Sequence, residues 1–227
     1  MRITYLGHSG LLVEGEKAKI VIDPFLTGNP LAACRVQDLK VDAVALTHGH
    51  GDHSCDAAAI AKANDCPVIA VVELAELIAA EGVRTIGMNT GGTLRLDGFE
   101  LRMTPAFHSS SYVVDGVARY AGQPAGYVVA MDGKTLYHAG DTALFSDMRI
   151  IGDRQRIDAA ALPIGDHFTM GPEDALLAAQ WVGAKIVVPI HYNTFPPIRQ
   201  DGEAFVRRLE PLGIRGLALK PGEAADI

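Results

Sequence analysis

The chain has 227 residues, 48% hydrophobic and 21% charged, the balance of an ordinary soluble globular protein long enough to bury a real core. A net charge of −7 without a visible cluster of Lys and Arg argues against an extended surface for phosphate backbones, so nucleic acid is not an expected partner. Cys34, Cys55 and Cys66 are odd in number and lack C-x-x-C spacing, which speaks against a disulfide framework or zinc ribbon and for a reducing cytoplasm. The opening MRITYLGHSG has no apolar stretch after its arginine, and no apolar run approaches the roughly 18 residues of a membrane span. Neither a signal peptide nor a spanning helix is expected.

In chain order, RITYL, GLLVEG and AKIVIDP read as three strands joined by tight turns, and VDAVALTH as a buried strand. Helices are expected over Ser54–Ala63 and Val72–Ala80, with CPVIAV as a strand between them. GTLRLDGFELRMTPAFH and AGYVVAMDGKTLYHAGD each read as two strands about an Asp-Gly turn. The back half continues with the strand DAAALPIGDH, a helix over Pro172–Val182, the strand AKIVVPIH and a last helix over Gly202–Leu212. No linker, low-complexity stretch or charge run divides the chain, so residues 1–227 are expected to form one domain. Each half carries hairpin strands followed by strand and helix units, a weak symmetry. An α/β arrangement of two facing sheets with helices outside satisfies this order.

Histidines fall where strands end. His48 ends VDAVALTH, His108 ends LRMTPAFH, Asp141 follows KTLYHAGD and His191 ends AKIVVPIH, so four strands deliver metal-capable groups to what is most simply one rim. THGHGDHSCD is the densest stretch. His48 and His50 are two apart at a strand exit, where a period of two aims both side chains to one side. Gly49 and Gly51 are expected to allow the sharp path that brings Asp52 and His53 round beside them. An apolar core gains nothing from several imidazoles and a carboxylate that all need partners. Adjacent Asp52 and His53 cannot easily serve the same ion as the His48–His50 pair, so the stretch reads as built for two metals.

HGHGDH, the downstream His108, AGDT at Ala139–Thr142 and PIHYNTFPPI together resemble the metallo-β-lactamase superfamily, in an order that covers most of the chain. LGHSG, GDHFTMGP and HYNTFPPI resemble its small branch of metal-dependent hydrolases related to ascorbate-6-phosphate lactonase. The resemblance implies a four-layer αββα sandwich of two facing mixed sheets, with a dinuclear metal centre on one edge. It further implies that His48, His50 and His108 hold one metal, that Asp52, His53 and His191 hold the other, and that Asp141 bridges them.

Two divalent ions so held can activate a shared water as hydroxide and polarise a small ester, lactone or phosphodiester. Imidazole and carboxylate ligands suit zinc, and without thiolate they also suit manganese or iron. Asp52, His167 and His8 are the catalytic candidates: His167 as a substrate contact or proton donor behind a strand, His8 at the turn that leaves the first strand. Asp23 reads either as the outer carboxylate of a ligand histidine or as a turn residue before Pro24. His138 is expected to be structural, and Cys55 a small buried hydrophobe. A mononuclear iron oxygenase on the same fold and a non-catalytic metal-dependent binder are the alternative functions. Specificity would lie in the loops Thr27–Lys40, Ser109–Gln123 and Asn193–Gln200, where Arg35, Tyr112, Arg119 and Tyr192 could meet an anionic group. A small-molecule substrate is expected, and a chain of this size often forms a symmetric homo-oligomer.

Overall fold

Alternating burial along short strands builds two mixed sheets. The computed structural model describes residues Met1–Ile227. The first half supplies β1 (Arg2–Gly7), β2 (Gly10–Glu14), β3 (Lys19–Ile22), β4 (Ala43–Ala45), α1 (Gly51–Ser54), α2 (Ala57–Asn64), β5 (Val68–Val71), α3 (Val72–Ala79) and β6 (Thr85–Met88). There follow β7 (Thr93–Leu96), β8 (Phe99–Pro105), β9 (Ser111–Val114), β10 (Val117–Tyr120), β11 (Ala125–Met131) and β12 (Lys134–His138). The chain closes with α4 (Met148–Arg154), β13 (Ala159–Pro163), α5 (Pro172–Trp181), β14 (Ile186–Ile190), α6 (Gly202–Leu209), β15 (Arg215–Gly216) and β16 (Ala224–Asp226).

One seven-stranded sheet runs β16-β1-β2-β3-β4-β5-β6, the other β15-β14-β13-β12-β11-β8-β7, and β9 and β10 stand apart as a two-stranded ribbon. Each sheet begins as an antiparallel meander and continues as parallel strands from β3 or β12 onward, the weak symmetry of the sequence made explicit. The last strand leaves its own half and pairs with β1, tying the chain end to the first sheet.

The side-chain period of two divides the second sheet cleanly. Leu101, Tyr127, Val129, Leu136 and Ala161 face inward and share a cluster of 41 buried residues with Ile3, Leu11, Ile20 and Ile22 of the first sheet. The intervening Val128, Tyr137, Ala160 and Val187 face outward, into a cluster of 20 with Met148, Ala178 and Phe205 from α4, α5 and α6. Across the inner layer the Tyr127 hydroxyl donates to the Leu46 carbonyl at 2.9 Å. The outer helices start on explicit signals. Pro172 opens α5 with Glu173 and Asp174 in its first turn, and the Asp201 side chain accepts from the Ala204 N–H at the start of α6.

Strand direction sets the location of the site. β1 and β3 are both antiparallel to β2, and β4 is parallel to β3, so all three end on one edge of the first sheet. By the same reasoning β8, β12, β13 and β14 end on one edge of the second. The loops carrying His8, Asp23, His48, His108, Asp141, His167 and His191 therefore leave from carboxyl ends.

Several elements differ from the sequence expectation. The helix expected over Ser54–Ala63 is two pieces broken at Cys55–Asp56, and Cys55 is exposed rather than buried. The residue that turns inward there is Asp56, whose carboxylate accepts from the N–H groups of Leu26 at 2.7 Å and Thr27 at 2.8 Å. The last helix stops at Leu209 and continues as a 3₁₀ turn through Leu212. The strand before His108 ends at Pro105, so His108 stands on a loop. Neither α4 nor the β9–β10 ribbon was expected.

Candidate metal centre

The first histidine group forms at the exit of β4. His50 is extended, and the chain turns into α1 directly after it, with Asp52 in the first turn and His53 in the last. The sharp path is thus a helix start. Gly49 and Gly51 both lack a positive φ. Gly49 is instead needed for space, because a Cβ there would stand 2.9 Å from the Ser111 carbonyl oxygen.

Asp23, at the end of β3, organises the histidines from behind. Fully buried and left-handed at φ 47°, it accepts from the Thr47 N–H at 2.8 Å, the Thr47 hydroxyl at 2.6 Å and His53 Nδ1 at 2.8 Å. Because the Thr47 hydroxyl donates to Asp23, it accepts from His48 Nδ1, 3.0 Å away. One carboxylate therefore fixes the tautomers of His48 and His53 and leaves the Nε2 lone pair of each facing the centre. Of the two readings of Asp23, the structure shows the outer carboxylate, in a turn conformation. Sequence reasoning missed Thr47, for which the one available signal is a hydroxyl beside His48.

Around Asp141 the groups converge from both sheets. Its Oδ2 lies 2.9 Å from His191 Nε2, 3.3 Å from His53 Nε2, 3.6 Å from His108 Nε2 and 3.9 Å from His48 Nε2. His50 turns Nδ1 inward, 3.0 Å from His48 Nε2, and its Nε2 faces the Ser109 hydroxyl at 3.5 Å. Three overlapping groups of residues able to ligate a metal result, each with its candidate atoms within 4.8 Å: His48, His50 and His108; His8, Asp52, His53 and His191; and Asp23, His48 and His53, in the last of which Asp23 is already taken up by Thr47 and His53.

The electrostatics fit cations. Burial lowers the imidazoles of His48, His50 and His108, so they remain neutral with lone pairs available. Burial would raise Asp141, but His191 and His53 beside it hold its carboxyl well below the usual range. Burial also opposes protonation of His53, yet Asp141 and Asp23 on its two sides push it well above an ordinary histidine. A positive charge between His53 and Asp141, whether a proton or an ion, agrees with both directions. His53 Nε2 and Asp141 Oδ1 are buried with no hydrogen-bond partner, which is where ligand atoms would be left free for a metal.

The remaining candidates divide. His8 enters the cluster but is fully buried, its Nε2 3.1 Å from Asp52 Oδ2 and its Nδ1 2.9 Å from the Thr194 hydroxyl. Burial pulls His8 down to about 4 against the opposing effect of its hydrogen bond to Asp52. Burial would raise the Asp52 carboxyl, and its hydrogen bond with His8 lowers it instead. His167 is exposed, edge-on to Phe168 at 4.5 Å, with no hydrogen bond to the cluster. His138 is fully buried, its Nδ1 accepting from the Gly140 N–H at 3.1 Å and its Nε2 donating to the Ser9 carbonyl at 2.9 Å, in agreement with a structural role. Tyr112 bonds Glu81, and Arg35 pairs with Asp38.

Two facing mixed sheets with a histidine and aspartate cluster on their shared edge define a metallo-β-lactamase fold. The beta-lactamase superfamily domain matches residues 18–192, and the chain belongs to that superfamily. Its similarity narrows to metal-dependent hydrolases of the UPF0173 group. It is 53% identical to one from Geobacillus thermodenitrificans over all of both chains, and 54% identical to one from Thermus thermophilus over 98% of this chain and 97% of the relative. A metallo hydrolase from the hyperthermophilic archaeon Ignicoccus hospitalis superposes with a TM-score of 0.90 at 40% identity, covering 99% of this chain and 97% of the other. The chain is accordingly a metal-dependent hydrolase. No helix is long and apolar enough to cross a membrane.

Proposed function

We propose that the protein is a dinuclear hydrolase acting on a small ester, lactone or phosphodiester. The observation that carries this reading is the pair of ligand groups on either side of Asp141, with Asp141 Oδ1 and His53 Nε2 buried and unpartnered between them. His48, His50 and His108 would hold one ion, Asp52, His53 and His191 the other, and Asp141 would contact both. Two divalent ions, zinc first and manganese or iron next for a donor set without thiolate, would supply a hydroxide nucleophile near neutral pH and polarise the electrophile. The chain's own residues do the rest. Asp23 and Thr47 hold imidazole lone pairs inward, while Phe107 and Phe168, 62% and 51% exposed on neighbouring loops, offer apolar surface to a small organic substrate. His167, exposed beside Phe168, is the available proton donor outside the ligand set. Residues 1–227 act as one unit in this reading, since the inner core draws on both sheets and β16 closes onto β1.

Filled ligand positions on both sides favour two ions over a mononuclear iron centre, and argue against a binder that has lost its chemistry. The test is hydrolysis of chromogenic ester, lactone and phosphodiester substrates by chelated protein and by protein reloaded with zinc, manganese or iron. Turnover that returns only on reloading and disappears in Asp141→Ala is the expected result. Turnover undiminished by chelation would contradict it.

A further inference from the structure

LGHSG and HYNTFPPI, two of the stretches outside the His-x-His-x-Asp-His signature, meet behind Asp52, His53 and His191. His8 and His191, both left-handed at φ 56° and 54°, lie side by side with ring centroids 4.2 Å apart, and the His191 N–H donates to the His8 carbonyl at 2.8 Å. The Tyr5 hydroxyl donates to the same carbonyl at 2.9 Å, so the His8 backbone is held from two directions. Phe25 and Phe195 close round its ring at 5.6 and 5.4 Å. Fully buried, the ring can turn neither to substrate nor to water.

Both ring nitrogens are used. A carboxylate only accepts, so His8 Nε2–H donates to Asp52 Oδ2 at 3.1 Å, and Nδ1 accepts from the Thr194 hydroxyl at 2.9 Å. The Tyr192 carbonyl, at 3.5 Å, is the poorer acceptor for that hydroxyl. Asp52 Oδ1 has no hydrogen bond within the chain, which leaves one carboxylate oxygen held and one free. Asp23 stands in the same relation to His53: a buried polar group reaches a ligand's far atom and aims its near one.

We propose that His8, oriented by Thr194, is the positioning residue of the second metal site, fixing the Asp52 carboxylate so that uptake of one of the two ions depends on it. This rests on the two-ion reading above. His8 neither ligates nor touches substrate. It removes the rotational freedom of a carboxylate that is otherwise partly exposed.

The experiment is titration of metal-free protein with cobalt(II), followed by visible absorption and by heat, on wild type, His8→Asn, His8→Gln and Thr194→Val. Asparagine tolerates the left-handed backbone but ends short of Asp52, whereas the glutamine amide can donate from about where Nε2 stands. In His8→Asn, one of the two binding phases should weaken about 10- to 100-fold with the other unchanged. His8→Gln should recover most of the loss, and Thr194→Val should show a smaller loss in the same phase. Two unchanged phases in His8→Asn would overturn the proposal. So would His8→Gln binding as weakly as His8→Asn, since the ring would then be a ligand itself. A wild-type protein that takes up a single ion would overturn the two-ion reading instead, a failure visible before any variant is compared.

Discussion

Asp23 shows how much a single side chain behind the ligands can decide. Its carboxylate takes three hydrogen bonds, one from His53 and two from Thr47, whose hydroxyl in turn holds His48. Asp23→Asn keeps the size and the left-handed backbone but turns an amide N–H₂ toward donors. Metal affinity should fall about 10- to 100-fold, read by competition with a chromogenic chelator; unchanged affinity would mean that the histidines orient themselves. Cys55 gives a residue-scale prediction away from the centre. Although the residue as a whole is exposed, desolvation of its sulfur and the neighbouring Asp56 carboxylate push its thiol up to about 12. An unfolded cysteine ionises near about 8.5, so between those values the folded state keeps a proton that the unfolded state releases, and the stability linked to that proton is present below the window and lost as pH rises through it. At pH 8.5, iodoacetamide should modify Cys55 far more slowly in native than in denatured protein, as followed by mass spectrometry. Equal rates would contradict the assigned shift.

Elements were legible where the signal was local. The paired left-handed Asp132 and Gly133 of the β11–β12 hairpin are what an Asp-Gly turn between alternating strands announces. Asp115 and Gly116, left-handed in the same way between β9 and β10, carry an equal signal in VVDGVARY. The break between α1 and α2 was not legible, because it depends on Asp56 reaching a distant loop. The alanine-rich run from Ala57 gives no sign of an interruption at Cys55 and Asp56 until Leu26 and Thr27 are known to lie above it. Asp56→Ala removes the acceptor for both N–H groups and for the Thr27 hydroxyl. A loss of about 1–3 kcal/mol for buried donors left unpaired should appear as a lower urea midpoint with an unchanged slope. A midpoint equal to wild type would show that the loop is held by other contacts.

For the molecule as a whole, the site exists because two sheets of similar topology bring their carboxyl edges together, and backbone hydrogen bonds join them at the seam. The Ala125 N–H donates to the Thr47 carbonyl at 2.9 Å, joining the second sheet to the β4 exit. Gly140, immediately before Asp141, sits at φ 64°, where a Cβ would lie 2.6 Å from the Ala125 carbonyl oxygen and 2.9 Å from Thr47 Cβ. Gly140→Ala should cost at least the roughly 1–3 kcal/mol of a strained backbone, lower the melting temperature and displace Asp141 from its neighbours. A melting temperature matching wild type would show that the seam can yield. The histidine signature was legible in sequence because its residues are adjacent, and His108, Asp141 and His191 because each follows a strand. Asp23 and His8 are readable in sequence as candidates at strand ends, but their hydrogen bonds with Thr47 and Thr194 emerge only when loops from β1, β3, β4 and β14 are seen together.

Metal content per chain is the measurement that bears most directly on the central claim that Asp141 stands between two ions. Elemental analysis of protein purified without chelator, with chelated protein as control, should give two divalent metal ions per chain in wild type and a clear loss in Asp141→Ala. One ion per chain in fully reloaded wild type, or two retained in Asp141→Ala, would contradict the account.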